Sequence, residues 1–221
     1  MKKKILAIAA IAIMIPLVLC ACKKEKPVEP TQPATQEAAS VEPETKSAPT
    51  EDPAAAVARL IDNVNTLKYV HGVALDCDYD YVWYDENGFA YTMVTDPDFQ
   101  SIGDINAFLS ETFTAQGAKE YFPDLALMGQ EGTYPYSYVI VQGDEDVPDG
   151  LYELQAGLGF YTYEIVSDIE ISNQTENSFT ADFTVEYYGQ WVVLTMGVVG
   201  EKGQNGNMVW KVDSIVENWE Y

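Results

Sequence analysis

All 27 aromatic residues of this chain lie at or after Tyr69. Large apolar side chains supply most of a core's burial, so only the part from about residue 54 onward can build one. The stretch before it, residues 23–53, holds six prolines with Thr, Gln, Glu and Ala between them and no apolar periodicity. Such a segment cannot bury enough surface to offset the entropy of ordering it. It is expected to be a tether, spanning about 30 Å as a flexible coil and more where proline stiffens it. The 168 residues that follow suffice for one domain with a real core and do not require two.

The local patterns of that domain are mixed. Asp52 before Pro53 predicts an N-cap and a first helical position. Val57, Leu60, Ile61 and Val64 share one face of a helix that should run to about Lys68. Residues 76–84 alternate, with Asp76, Asp78, Asp80, Val82 and Tyr84 against Cys77, Tyr79, Tyr81 and Trp83, which predicts a strand with one wet side. Asp85-Glu86-Asn87-Gly88 turns it into a return strand. Ser101, with Asp104 three residues on, predicts a capped helix burying Ile105, Phe108, Leu109 and Phe113. Thr114 caps a second, short helix, stopped by Pro123. Beyond Pro123 the pattern is that of strands, at 136–142, 151–155, 160–172, 177–188, 191–199 and 208–216. The expected fold is α+β: an N-terminal helix, a β-hairpin, a helical hairpin, then a long curved antiparallel β-sheet.

The N-terminus adds a location. Three lysines follow Met1, and residues 5–19 are apolar except for Pro16. That is the layout of an export signal, and the run is shorter than the roughly 20 residues a spanning helix needs. Leu19-Cys20-Ala21-Cys22 resembles the lipobox of bacterial lipoproteins. The resemblance implies that 1–21 is a signal peptide and that Cys22 carries a diacylglyceryl group. Residues 22–53 then tether an extracytoplasmic domain, 54–221, to the outer face of the cytoplasmic membrane. Cys20 is the rival, but Leu19 is too bulky for the position before it.

Charge narrows the partners. Residues 54–221 hold 28 acids and five bases, Arg59, Lys68, Lys119, Lys202 and Lys211. Nucleic acid is excluded as a partner, because neutralising phosphates takes Lys and Arg. Polyanions of the wall are disfavoured for the same reason. A basic protein or a divalent cation is compatible, and so is an acidic surface that serves solubility alone.

Catalytic constellations are weak. His71 is the single histidine and precedes Gly72 at a helix-to-strand joint, as an ordinary loop histidine would. With one His, and with Cys77 the one cysteine of the domain, a zinc site lacks ligands. A thiolate at Cys77 would need an electropositive niche. No GxGxxG or P-loop pattern occurs, and no cofactor is expected. Asp76-x-Asp78-x-Asp80 opens like a calcium loop, but Tyr81 stands where Gly is needed and Asn87 where a bidentate Glu is needed. The acidic loop 143–150, with Asp144 and Asp146, is the better cation candidate. Carboxylate pairs are numerous, and nothing selects one for glycoside chemistry. The candidate binding residues are Tyr134 and Tyr136, Asp144 and Asp146, and Tyr188 with Trp191, because tyrosine and tryptophan suit interfaces as well as half-buried sheet faces.

Residues 96–122 (DPDFQSIGDINAFLSETFTAQGAKEYF) resemble the helical segment of the secreted DL-endopeptidase inhibitor family. The features are an aromatic strand at Phe89-Ala90-Tyr91, a helix with Phe108-Leu109, the phrase Thr112-Phe113-Thr114, then Ala118 and an aromatic. The resemblance implies a non-catalytic, monomeric protein that blocks a cell-wall hydrolase, and it carries over no inhibitory residue. The lipobox and the Pro-rich tether depart from that family. A second resemblance, to nuclear-transport-factor-like domains, rests on a first helix followed by an antiparallel sheet closing with Trp210-Lys211-Val212-Asp213, and implies a ligand pocket inside the sheet. Mass spectrometry of the mature N-terminus tests the anchor: Cys22→Ala should abolish acylation and release the protein from membranes, while Cys20→Ala should leave both unchanged.

Overall fold

The structure, a computed structural model, describes residues 48–126, 137–155 and 159–219. These fall in one compact unit, Glu44–Tyr221. Cys22, where the anchor is expected, most of the stretch expected to be a tether, Tyr134 and Tyr136 lie outside the described residues. Among the described residues no helix is long and apolar enough to cross a membrane.

Helix α1, Pro53–His71, starts as expected: the Asp52 carboxylate accepts from the backbone of Ala54 at 3.0 Å and Ala55 at 3.2 Å. It continues one turn past Lys68 because Leu67 and Val70 extend its apolar stripe. Each fully buried Leu, Ile or Val on that stripe is worth about 1.5–3 kcal/mol. Its first turn is tied to the far end of the chain. Arg59 grips both oxygens of Glu51 at 2.9 and 2.7 Å, and the Trp210 indole donates to the Glu51 carbonyl at 3.0 Å. The end of the stretch read as tether is therefore packed on the head.

Strands β1 (Cys77–Tyr84) and β2 (Ala90–Val94) form the expected hairpin, followed by α2 (Ile102–Thr112), α3 (Ala115–Tyr121) and a short α4 (Pro123–Ala126). The caps are those expected. Ser101 accepts from Asp104 N–H, Asp104 reaches back to the N–H of Gln100, and Thr114 accepts from Gly117 N–H. Strands β3 (Tyr138–Val141) and β4 (Gly150–Leu154) then return to the first hairpin, giving a four-stranded sheet in the order β1-β2-β4-β3. Strands β5 (Glu164–Ile165), β6 (Glu170–Ser172), β7 (Ser178–Tyr187), β8 (Gln190–Lys202) and β9 (Met208–Trp219) make the large antiparallel sheet, in which β5 and β6 both pair with β7.

The α+β order is as expected, with differences in detail: the single strand expected at 160–172 is two short ones, β5 and β6, and a short helix, α4, follows Pro123. The strands after Pro123 divide between two sheets, because β4 finds its partner in β2. In β1 the register jumps between Asp78 and Val82, so Tyr79 and Tyr81 swing out to 71% and 37% exposure instead of sharing a buried face with Cys77. A bulge of this kind also blunts an edge strand against further pairing.

One core joins α1, α2 and α3 to the inner face of the large sheet, where Phe179, Ala181, Val185, Leu194 and Met196 alternate inward. Helix α3 is pressed directly onto β9: a Cβ at Gly117 would lie 2.7 Å from the Val212 carbonyl and 2.9 Å from that of Asp213. Thr114 locks the joint, donating to Asp213 Oδ1 at 2.9 Å. Gly117→Ala should therefore cost about 1–3 kcal/mol, the usual range for overpacking, read as a lowered urea midpoint at unchanged slope.

Candidate functional site

Two groups of side chains at one end of the large sheet carry unusual chemistry, one on each side of it. On the inner side, Lys68 projects from α1 into tyrosine rings. Its ammonium lies 4.1 Å from the Tyr163 ring centre, 4.3 Å from that of Tyr187 and 5.9 Å from that of Tyr121, and it donates to the Tyr187 hydroxyl at 3.2 Å. Glu217 of β9 supplies the counter-charge. It accepts from the Tyr163 hydroxyl, which in turn accepts from that of Tyr121, 3.2 Å from the same carboxylate oxygen. Burial lowers Lys68 to about 8, against the pull of Glu217, which raises it. Burial also pushes the hydroxyls of Tyr121 and Tyr163 well above the ordinary tyrosine range.

Beside Lys68, Asn65 accepts from the backbone N–H of Tyr163 at 2.7 Å and donates to its carbonyl at 2.9 Å. An asparagine thus imitates a strand neighbour and binds the segment before β5 to α1. The signals for this cluster are in the sequence. Asn65 and Lys68 fall four residues after Ile61 and Val64 on the apolar stripe, and Glu217 falls between Ile215 and Trp219 on one face of β9. Reading the stripe as purely apolar conceals them.

On the outer side, the tight turn between β7 and β8 places two residues, Tyr188 and Gly189, at positive φ of 58° and 71°. That is the pattern of a type I′ hairpin turn, where Asn or Gly is the usual first residue and a tyrosine is strained. Tyr188 is 62% exposed, and its ring meets Tyr161 edge-on at 4.0 Å. Tyr161, Thr162, Glu164, Glu186, Tyr188 and Gly189 line an open groove of about 350 Å³. Glu164 and Glu186 are directly paired across β5 and β7, and Glu186 is paired in turn with Trp191 of β8, 70% exposed. Tyr188 and Trp191, both expected as binding residues, thus flank one carboxylate. Tyr161, Glu164 and Glu186 are not among the expected residues; the two-residue turn is the available signal.

The remaining candidates are placed elsewhere. Asp144 and Asp146 lie exposed in the β3–β4 connection, in the other sheet. Asp144 Oδ1 is engaged by its own turn, accepting from the N–H of Asp146 at 2.9 Å and of Val147 at 3.1 Å. Among the described residues no group of three or more His, Cys, Asp or Glu side chains is gathered to hold a metal ion. His71 sits 3.7 Å from Asp124 and against the Phe122 ring. Cys77 neighbours the buried Glu153 of β4, which accepts from Leu75 N–H at 3.2 Å. Burial raises the Glu153 carboxyl, although contacts from Cys77, Leu75 and Tyr138 favour its charged form. Burial and the nearby carboxylates raise the Cys77 thiol far above the range of a reactive cysteine.

Comparison with family models, with curated proteins and with solved structures finds no match for the chain.

The Lys68 cage has a pH signature. The ammonium binds its proton less tightly in the folded chain, about 8, than in the unfolded chain, near 10.5. The unfolded state therefore holds more protons in that window, and stability rises with pH through it. Above about pH 9 the raised Cys77 thiol and the raised tyrosines reverse the slope, because the unfolded chain loses their protons first. Urea midpoints should climb from about pH 7 to about 9 in the natural protein, and Lys68→Met should flatten that climb.

Proposed function

We propose that this chain is an exported, lipid-anchored, non-catalytic binding protein whose acidic head docks on the basic cleft of a peptidoglycan hydrolase of the DL-endopeptidase type and inhibits it. The export signal and the lipobox ending at Cys22 support the location. The resemblance of residues 96–122 to secreted inhibitors of such enzymes supports the target. The observation that carries the reading is the outer face of the β7–β8 tip, where Tyr161, Tyr188 and Trp191 stand exposed beside two carboxylates. Exposed aromatics held on a rigid hairpin supply contact area at low entropy cost, and surrounding acids steer a basic partner.

Non-catalytic action fits the chemistry of the described residues. Cys77 is held as a thiol, and the histidine lies against a phenylalanine ring and an exposed aspartate rather than a nucleophile. Among the described residues, the inner face of the large sheet is taken up by core side chains and, at one end, by the Lys68 cage, so the outer edge supports the binding reading better than a pocket inside the sheet does.

The test is digestion of purified peptidoglycan by DL-endopeptidases of the same cell, with the intact chain added. Inhibition should appear at micromolar protein or below and weaken as salt rises from 50 to 500 mM, values of roughly the order over which exposed charges become screened. Undiminished digestion by all such enzymes at micromolar excess overturns the proposal.

A further inference from the structure

We propose that the groove lined by the touching rings of Tyr161 and Tyr188 and by Glu164 and Glu186 is the seat of a single cationic side chain, arginine or lysine, presented by a protein partner. This deepens the reading of the head as a ligand of basic proteins and rests on it.

Like charges directly opposed across two antiparallel strands oppose the pairing of those strands. Here Glu164 and Glu186 are opposed in that way, at the two-residue strand β5. Among the described residues neither carboxylate has an ion-pair partner. A guanidinium or ammonium between them would remove the repulsion and gain two carboxylate acceptors. Arginine suits this best, since its planar fork can donate to both oxygens of a carboxylate.

The walls add a second preference for a cation. Aromatic faces attract positive charge, and the two rings stand edge-to-face at 4.0 Å, so they offer different surfaces to one visitor. Trp191, paired with Glu186, extends the aromatic rim on the far side. The same chain already solves this recognition problem on the inner face of the hairpin. There Lys68 is enclosed by Tyr163, Tyr187 and Tyr121 and balanced by Glu217. The inner cage is filled by a residue of the chain itself, whereas the outer one is open to solvent.

Tyr188 sits against the local backbone preference, which Asn at this turn position would relieve. Its ring is what the turn gains.

The experiment is a titration of the intact chain with N-acetylarginine amide, and with N-acetylcitrulline amide as its neutral isostere, followed by amide and tyrosine-ring NMR shifts. The arginine amide should shift Tyr161, Tyr188 and Gly189 saturably, and the citrulline amide should not. Glu186→Gln should weaken the response about tenfold, the loss expected when one partner of a charged contact is removed. Tyr188→Asn should abolish it while leaving the melting temperature equal or higher, which separates loss of the seat from loss of the fold. Equal shifts with both amides, or shifts spread over the acidic surface and indifferent to Glu186→Gln, would overturn the proposal.

A parallel inhibition assay with Tyr188→Asn distinguishes this proposal from the hydrolase reading. Full inhibition by the variant removes the groove as the partner's seat and leaves the hydrolase reading intact. Selective arginine binding by a protein that inhibits no DL-endopeptidase keeps the seat and removes the hydrolase.

Discussion

An ammonium group shut among tyrosine rings is the interaction around which this head is arranged. Taking Lys68 out of water is costly, and that cost is what lowers its proton affinity. It is offset only because ring faces, the Tyr187 hydroxyl and the Glu217 carboxylate converge on it from separate elements: β7, β9, α3 and the segment entering β5. A half-satisfied polar cluster in a core is worse than an apolar one. The cluster therefore enforces one arrangement of these elements, where hydrophobic burial alone would accept several.

The consequence reaches the opposite face of the sheet. Tyr187 and Tyr163 point inward, and their chain neighbours Tyr188, Glu186 and Glu164 are thereby aimed outward or to the tip. Asn65 fixes the backbone of Tyr163, and two residues earlier in the chain Tyr161 meets Tyr188. At the other margin of that segment Phe160 packs edge-on against Tyr69 and close to Gly72, at the end of α1. A helix that covers the core on one side thus positions an exposed aromatic edge on the other. Rigid presentation is what a binding surface needs, because ordering contacts at the moment of binding lowers affinity.

Much of the fold is legible in the residues alone, and the reasons differ by element. Helix α1 is legible because its cap and its apolar stripe agree, and α2 and α3 because Ser101 and Thr114 are followed by suitable first-turn residues. Strands β7 and β8 are legible from strict alternation. The division into two sheets is not, since alternation tells which face a residue takes and says nothing of which strand lies beside it. The bulge in β1 is hidden for a related reason: Asp78 to Tyr81 keep perfect alternation in sequence while the register slips in space. At the candidate site, Tyr188 and Trp191 stand out as exposed aromatics, but Glu164 does not, because its importance comes from a cross-strand pairing with a residue 22 positions away. Lys68 and Glu217 are visible only as polar intrusions in apolar patterns, where a charged residue is most simply read as part of the surface.

Cause and effect meet in the segment between Phe160 and Ile165, so the most direct test is amide hydrogen exchange on the intact protein with and without Asn65→Ala. The variant removes the two bonds that hold Tyr163 to α1 and touches nothing on the outer face. Exchange should accelerate at Tyr163, Glu164 and Ile165 and at the turn residues Tyr188 and Gly189, while Leu194 and Met196 in the middle of β8 stay protected. If Tyr163 to Ile165 and the turn kept their natural protection, the inner cluster would not be what positions the outer edge, and the account would be wrong.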